Sequence, residues 1–379
     1  MTATQPPEVT AVTISGVRQR DVNDSADFRT WAALAARLGR AECIWAGPRL
    51  ECRRKPLHVL RRPRRPGLRS LIWAAGSVRA GVRVARAALR RSETVVVNGG
   101  EPWGWLAAWL VARIVRRPWL MDIHGDYLSL PPESLGRRRR AVLRLAVVFF
   151  ARRASARRAV SRSIADSLEE RGLPCVEVPP RLLPIWEKPL KRDRAPIGAP
   201  CPRLLAVGRL VASKGFDLLL TALAELVRTE PAIRLCVVGD GPLRDSLTDQ
   251  AARLGLSRHV EFLGTRGVDE VRSELSRADL FVISSRDEGL PRTLLEAAAA
   301  GIPVVATAIG GIPAAAAGWE TVSLVEADAA AIATGVRQVL ASPPSENRLA
   351  AVRDHVLATY GFDTNIDALA ALFRDVGAK

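Results

Sequence analysis

Four blocks between residues 204 and 311 decide the fold: LLAVGRLVASKGFDLLL (204–220), VVGDGPLRDSL (237–247), VEFLGT (260–265) and DEGLPRTLLEAAAAGIPVVATAIGG (287–311). Each block combines a short apolar run with a glycine-containing turn, and three of the four continue into the start of a helix. This repeat predicts a parallel α/β sheet whose loops gather at the carboxyl ends of the strands, where anionic ligands bind. Two basic residues, Arg209 and Lys214, and two carboxylates, Glu288 and Glu296, lie in these loops or just beyond them. That combination suits a nucleotide diphosphate that carries a sugar.

Strand candidates and helical stretches also alternate through the first 190 residues. The strand candidates are Val9–Ser15, Cys43–Ala46, His58–Leu60, Thr94–Asn98, Trp119–Ile123, residues 159–160 with their neighbours, and Cys175–Val178. The sequence therefore predicts an α/β protein with two Rossmann-like domains that face each other across a cleft, the usual place for a ligand. The predicted parts are a first domain (1–190), a proline-rich linker (191–202), a second domain (203–360) and a C-terminal helix (361–379), for which packing back on the first domain is one arrangement.

The charge of the chain is concentrated in its first half. Residues 1–190 carry 35 Lys and Arg against 16 Asp and Glu, whereas residues 191–379 carry 21 against 23, which together give the net charge of +17. Arginine tracts occur at residues 53–55, 61–65 and 137–140. The predicted helix Leu68–Leu89 places Arg79, Arg83, Arg86 and Arg90 on one face, opposite Leu71, Ile72 and Val82.

A basic face with apolar neighbours suits an anionic membrane surface, and we expect a peripheral protein at the inner face of the cell membrane. A solvated surface is the alternative reading of the same charge, and no nucleic-acid-binding motif accompanies it, so a nucleic-acid partner is not expected. The apolar runs are too short to span a bilayer, and the start of the chain is unlike a signal peptide. Five scattered cysteines without a metal or redox spacing indicate a reduced, cytoplasmic compartment.

The motifs of the second domain resemble those of the family-4 retaining glycosyltransferases, which have the GT-B fold. The residues that carry the resemblance are Val207 to Leu210 with Lys214 and Gly215, Gly239 to Pro242, Phe262 to Gly264, Glu288 to Arg292 with Glu296 and Ala297, Ala300 to Val305, and Gly310 to Pro313. In the first domain, His124 follows the predicted strand Trp119–Ile123 at the place where the family keeps an active-site histidine. The resemblance implies a transferase that passes a sugar from a UDP-, GDP- or ADP-sugar to an acceptor held mainly by the first domain.

The resemblance also implies roles for single residues. Arg209 and Lys214 are expected to neutralise the leaving diphosphate, because guanidinium and ammonium groups stabilise charge that develops as the glycosidic bond breaks. Glu288 is expected to contact the transferred sugar, and His124 to donate or accept a hydrogen bond there. The expected nucleotide pocket contains Gly208, Gly241, Gly289, Leu290, Pro291 and Glu296, with Pro291 at the first position of a helix and Glu296 on the ribose hydroxyls. No metal or other cofactor is expected.

Two other functions remain open at this point. A sugar-nucleotide 2-epimerase uses a related fold, but it needs acids placed for proton abstraction and no acceptor surface. A membrane- or nucleic-acid-binding protein with a degenerate sugar site is the non-enzymatic alternative, against which the intact motifs of the second domain argue. The leading hypothesis is a retaining glycosyltransferase whose acceptor is a lipid-linked or envelope glycan.

Overall fold

The computed structural model describes residues 9–18, 26–47, 57–61, 68–125, 127–128, 136–193 and 201–379. The chain divides into two compact units. Among the described residues, the first unit contains those up to 128, residues 136–179 and Asp363–Lys379, and the second contains residues 180–193 and 201–362.

The first unit is built on a parallel sheet of seven strands in the order β3-β2-β1-β4-β5-β6-β7. The strands are β1 (Val9–Arg18), β2 (Gly39–Gly47), β3 (Leu57–Arg61), β4 (Thr94–Gly100), β5 (Trp119–Ile123), β6 (Ala156–Ala159) and β7 (Val176–Glu177). The helices between them are α1 (Ala26–Leu38), α2 (Leu68–Leu89), α3 (Glu101–Val115), α4 (Arg137–Ala151) and α5 (Arg162–Glu169). The order of the first six strands is that of a Rossmann fold, so its ligand crevice lies between the carboxyl ends of β1 and β4.

The second unit repeats this arrangement with a parallel sheet of six strands in the order β10-β9-β8-β11-β12-β13. The strands are β8 (Arg203–Val207), β9 (Arg234–Val238), β10 (Val260–Gly264), β11 (Leu280–Ile283), β12 (Val304–Thr307) and β13 (Val322–Val325). The helices are α6 (Phe216–Thr229), α7 (Arg244–Arg253), α8 (Val268–Arg277), α9 (Arg292–Ala299), α10 (Ile312–Ala315), α11 (Ala329–Ala341) and α12 (Glu346–Tyr360). Here the crevice lies at the carboxyl ends of β8 and β11.

The last helix, α13 (Phe362–Gly377), belongs to the first unit although it follows the second unit in the chain. Its apolar stripe, which includes Leu369, Phe373 and Val376, packs with Val9 of β1 and Val96 of β4 in one buried cluster. Burying that stripe removes apolar area from water and covers one face of the first sheet.

The chain passes from the first unit to the second between Pro179 and Pro180, before the start of the predicted linker at residue 191. Residues 180–190, which were predicted to end the first domain, belong to the second unit. Arg272 of α8 donates hydrogen bonds to the carbonyl oxygens of Ile185 and Lys188 at 2.8 and 3.1 Å, and its guanidinium lies over the ring of Trp186. Part of the predicted linker, residues 194–200, lies outside the described residues.

Candidate functional site

The crevice of the second unit is formed by the loops that follow β8 and β11. The loop after β8 contains a 3₁₀ turn, Ala212–Lys214, and the loop after β11 contains Glu288. Lys214 Nζ forms an ion pair with Glu288 Oε1, and Ser285 Oγ donates a hydrogen bond to the same oxygen at 2.8 Å. Both partners are largely shielded from solvent, with side-chain exposures of 27% for Lys214 and 10% for Glu288. The structure therefore brings together two of the residues that the sequence predicted for one site.

Glycines hold these loops in place. Gly215 has φ of +60°, and a Cβ there would lie 1.9 Å from the carbonyl oxygen of Ser284. Gly310 has φ of +59°, and its Cβ would lie 1.8 Å from the carbonyl oxygen of Glu288. Both positions require glycine for two reasons, the left-handed backbone and the close approach of another main chain. The Gly311 N–H donates to the Gly289 carbonyl at 2.7 Å, so the 288–289 and 310–311 loops form one main-chain assembly.

The two glycines predicted to line the nucleotide pocket, Gly208 and Gly241, differ in what the protein requires of them. A Cβ on Gly241 would lie 2.4 Å from the carbonyl oxygen of Leu210, so a side chain is excluded by the fold itself. A Cβ on Gly208 would meet only the side chains of Phe216 and Lys214, at 3.5 Å or more, which is ordinary contact. The fold has room for a methyl group at position 208.

The helix that follows the Glu288 loop begins one residue later than predicted. Pro291 is the N-cap residue of α9, with φ of −72° and ψ of 125°, and not its first helical residue. The correction has a local cause: ψ is extended at Pro291, so the helical dihedrals start at Arg292. Leu290 is buried, and the free N–H groups of the first turn of α9 follow directly after the 288–291 loop.

Glu296 lies in the middle of α9, partly buried. Burial raises the pKa of its carboxyl above the usual range, opposed by the charge of the nearby Arg292 guanidinium. Its side chain has no hydrogen-bond partner among the residues that the structure describes. A shielded carboxyl of this kind is suited to accept hydrogen bonds from ligand hydroxyl groups.

Arg209 is exposed and, within the described residues, has no side-chain hydrogen bond or ion pair. It lines a cavity of about 740 Å³ together with the start of α7 and the 286–287 loop. The same cavity contains Asp217 and Arg286, whose guanidinium binds both carboxylate oxygens at 2.7 and 2.6 Å. This hydrogen bonding lowers the pKa of Asp217. Sequence reasoning missed this pair, although Asp217 stands three residues after Lys214.

The crevice of the first unit contains His124, directly after β5. Its side chain is half exposed, and its Nε2 lies 3.3 Å from Oδ2 of Asp122. Asp122 is buried and is held by Arg158, whose Nη1 donates to both carboxylate oxygens at 2.9 and 3.0 Å. This carboxylate favours the tautomer that carries the proton on Nε2 and leaves Nδ1 to accept a hydrogen bond. Neither Asp122 nor Arg158 was predicted from the sequence. The signal that could have indicated Asp122 is a charged residue inside the short apolar strand Trp119–Ile123.

A strained residue lies beside this histidine. Glu101, the first residue of α3, has φ of +65°, which non-glycine residues seldom adopt. It directly follows Gly100, whose Cβ position is 3.6 Å from His124 Nε2. Strain of this kind is concentrated at functional sites, so Glu101 joins His124 as a candidate at the crevice of the first unit.

Arginines lie on exposed surfaces at α2 and at α4 of the first unit. Arg79, Arg83 and Arg86 of α2 and Arg90, directly after it, line a groove of about 490 Å³ together with Val78, Val82 and Ile114. The expectation that Val82 lies opposite these arginines is wrong, because three residues along a helix bring it back next to Arg79. On α4, Val142 and Leu145 are exposed by 66% and 71%, on the helix that begins with Arg137 to Arg140. Of the tract at residues 61–65, only Arg61 lies within the described residues.

Within the parts of the chain that the structure describes, no helix combines the length and apolarity that a membrane span requires. Those parts also hold no group of three or more His, Cys, Asp or Glu side chains placed to bind a metal ion.

Residues 188–352 match the family model described as "Glycosyl transferases group 1". Glycogen synthase of Mycobacterium tuberculosis is 37% identical over 187 residues, which are 48% of this chain and 45% of that protein. The GDP-mannose-dependent alpha-(1-6)-phosphatidylinositol monomannoside mannosyltransferase of Mycolicibacterium smegmatis is 39% identical over 152 residues, 38% of this chain and 39% of that protein. The chain thus spans less than half the length of these curated relatives. These matches support a group 1 glycosyltransferase; the finer assignment to family 4 stays a prediction.

Solved structures extend the similarity of fold to nearly the whole chain. Anabaena HepE in complex with UDP and glucose aligns with a TM-score of 0.73 at 18% identity, covering 97% of this chain and 99% of that chain. Sucrose-phosphate synthase from Thermosynechococcus elongatus also gives 0.73 at 18% identity, with coverages of 98% and 99%. The predicted fold class, α/β with two Rossmann-like units of the GT-B type, is confirmed.

Proposed function

We propose that this protein is a glycosyltransferase that takes a nucleoside-diphosphate sugar at the crevice of the second unit and passes the sugar to an acceptor. The observation that carries the proposal is the Lys214–Glu288 pair, which bridges the two loops at the point where the strand order of the sheet reverses. Ligands of open α/β sheets bind at that point. The pair also lies inside the segment that matches the group 1 family model.

The two charges of the pair have separate uses once a donor is bound. The Lys214 ammonium, together with the exposed Arg209 guanidinium, neutralises the diphosphate as it leaves with the electron pair of the broken C–O bond. The Glu288 carboxylate, released from Lys214, accepts hydrogen bonds from sugar hydroxyls, while Ser285 continues to hold it. The ion pair of the free protein thus keeps both groups oriented before the donor arrives.

Retention of the anomeric configuration is part of the proposal. The leaving diphosphate oxygen takes the proton of the incoming acceptor hydroxyl, and the new glycosidic bond forms on the face from which the diphosphate departs. This route needs no nucleophilic side chain. Glu296 is proposed to hold the ribose hydroxyls of the nucleotide, and Gly208 to let the main chain approach the diphosphate.

In the first unit, His124 is proposed to hydrogen-bond the transferred sugar. Its Nδ1 is left to accept because Asp122 engages Nε2, and Arg158 fixes Asp122 in turn. Asp122 therefore acts as a positioning residue. Glu101 is proposed as an acceptor contact, since its strained backbone stands at the crevice of this unit.

A lipid-linked or envelope glycan is the proposed acceptor, and an anionic membrane surface the proposed partner of the first unit. The names of two relatives support this acceptor class, a phosphatidylinositol mannoside mannosyltransferase and a lipopolysaccharide core glycosyltransferase of Rhizobium meliloti. The α4 helix supports the membrane contact, because exposed Val142 and Leu145 share it with five arginines and no acid. Apolar side chains among basic ones are typical of helices that lie in a bilayer interface.

The test is to incubate the pure protein with a panel of UDP-, GDP- and ADP-sugars and to follow release of the sugar by NMR. We expect slow hydrolysis of one donor, with the same anomer released as was bound. A donor that isomerises at C2 without loss of the nucleotide would instead identify an epimerase. Failure of every donor to react or bind would favour the non-enzymatic alternative.

A further inference from the structure

A second charged cavity lies in the first unit, away from the residues assigned above. Its volume is about 780 Å³, and it is lined by the end of α3, by the start of β5 and by the turn after α4. Because His124 follows the carboxyl end of β5, this cavity lies at the opposite edge of the sheet. Its polar and aromatic lining includes Arg113, Arg116, Arg117, Arg153, Trp109, Ser155 and Lys379.

The arginines of this cavity face no acidic side chain among its lining residues. No Asp or Glu lines the cavity, and Arg113, Arg116 and Arg117 are exposed with no carboxylate partner among the described residues. Arg153 donates to the Phe149 carbonyl at 3.0 Å and stacks on its ring. Elsewhere in the unit, Arg158, Arg91 and Arg162 each pair with a carboxylate. The cavity thus brings together five cationic side chains, and none of its lining residues is Asp or Glu.

Interaction with the helix dipole accounts for part of this charge, since cations are favourable at the C-terminus of α3. It does not account for Arg116. This residue is the C-cap of α3 with φ of 53° and ψ of 54°, a left-handed conformation for which glycine is preferred. Arg116 therefore keeps a charged side chain at the cavity in a backbone conformation that glycine adopts with less strain.

We propose that this cavity binds a phosphorylated ligand of about the size of a sugar phosphate. Guanidinium groups bind phosphate through paired N–H donors, and Arg113, Arg116 and Arg117 bring three such groups to one rim. The partly buried indole of Trp109 offers a ring surface for the organic part of the ligand. The volume is typical of small-molecule sites. This site lies in the first unit and does not depend on the proposed transferase activity.

The test uses ribose 5-phosphate, with ribose as its uncharged counterpart, and measures binding by calorimetry. The protein carries Arg209→Ala and Lys214→Ala, which weaken phosphate binding in the second unit. We expect ribose 5-phosphate to bind and ribose not to bind. Arg113→Gln with Arg117→Gln should weaken binding at least about tenfold, as expected for the loss of charge-assisted hydrogen bonds. Arg162→Gln, which removes the same charge at the other edge of the sheet, should change little.

Arg116→Gly separates binding from folding. It removes the side chain and relieves the backbone, so we expect weaker binding of ribose 5-phosphate together with an unchanged or raised melting temperature. Vesicles of phosphatidic acid in phosphatidylcholine test a membrane source of the same phosphate monoester. Loss of vesicle or sugar-phosphate binding in the arginine variants, but not in Arg162→Gln, supports the site. Equal binding of ribose and ribose 5-phosphate, or binding of both probes that ignores these arginines, overturns it.

Discussion

The two units share one strand order but build their crevices in different ways. In the second unit the loops are fixed by main-chain contacts, with glycines at positions where a Cβ atom would lie within 2 Å of a carbonyl oxygen. In the first unit the candidates are side chains, a half-exposed His124 and a strained Glu101. The family match lies within the second unit. The crevice of the second unit is thus held in shape by its main chain, whereas the candidates in the first unit are single side chains that can be exchanged without changing the course of the main chain.

We expect the largest effect from the two basic residues at the crevice of the second unit. Lys214→Ala and Arg209→Ala should each lower turnover of the preferred donor by about a hundredfold or more, as is typical when a group that stabilises developing charge is removed. Steady-state kinetics of donor hydrolysis is the measurement. Lys191→Ala, which removes an exposed lysine outside the crevice, is the matched control.

The two variants should differ in stability. Arg209 is exposed without a described partner, so Arg209→Ala should leave the melting temperature unchanged. Lys214→Ala leaves the shielded carboxylate of Glu288 with Ser285 as its neutral donor, and it should lower the melting temperature. Wild-type turnover in both variants would contradict the proposed role of these two side chains at the diphosphate.

Gly208→Ala tests whether main chain meets the ligand. The free protein accepts a methyl group at this position, so we expect a normal melting temperature with donor binding weakened about tenfold or more. Gly239→Ala is the contrasting variant, since φ is +138° and the new carbon would lie 1.8 Å from the Gly208 carbonyl oxygen; it should destabilise the second unit. Donor affinity that is unaffected by Gly208→Ala would show that no ligand approaches this residue.

Glu296 should give a smaller effect that depends on pH. Burial raises the pKa of its carboxyl, and ribose hydroxyls bind the ionised form, so nucleotide affinity should fall as the pH drops through that raised pKa. Glu296→Gln should weaken binding about tenfold near neutral pH and flatten this dependence. The difference between the wild-type and variant titrations cancels the protonation of the nucleotide itself.

The same shift predicts a change in stability of the opposite sign. A carboxyl whose pKa is raised by folding stabilises the folded state at low pH, and this contribution is lost as the pH rises through the raised pKa. Glu296→Gln should therefore raise the melting temperature of the ligand-free protein near neutral pH. A lower melting temperature would mean that the carboxylate has a structural partner and not a ligand.

The smallest expected effect concerns the first unit. Wild-type protein should bind anionic vesicles, more weakly as salt increases, because each arginine at the surface adds roughly 1 kcal/mol that ions screen. Val142→Asp with Leu145→Asp should reduce vesicle binding several-fold while donor hydrolysis in solution continues. Gln substitutions at exposed Arg152 and Arg171, which lower the net charge by the same two units without touching the apolar pair, serve as controls. An equal loss of vesicle binding in both pairs of variants would mean that charge alone, and not the apolar pair, drives the contact with the vesicle.

The elements of the fold were largely predictable from the sequence. Strand β5 and helix α2 have the predicted bounds, since periodicity and flanking turns define them locally. The position of α13 in the first unit depends on which apolar face remains uncovered after the rest of the chain has folded, which a local pattern does not record. The division at Pro179 depends in the same way on contacts such as those of Arg272 with residues 185–189.

The residues of the candidate site also differ in whether a local sequence pattern predicts them. Lys214 and Glu288 could be predicted because each stands in a glycine-containing loop after a strand. The partners behind them could not: Arg286 binds Asp217 and Arg158 binds Asp122 across 69 and 36 residues of sequence. The strain at Glu101 was also hidden, because an ordinary Gly-Glu-Pro sequence does not reveal a positive φ.

Thermal unfolding in the presence of UDP, GDP or ADP tests most directly whether the crevice of the second unit holds a nucleoside diphosphate. A ligand that binds the folded state at a hundred times its dissociation constant stabilises it by about 2.7 kcal/mol. We expect that one of the three nucleotides raises the melting temperature of the wild-type protein and of Lys191→Ala, and that the rise is largely lost in Lys214→Ala. An equal rise in all three proteins, or none with any nucleotide, would contradict it.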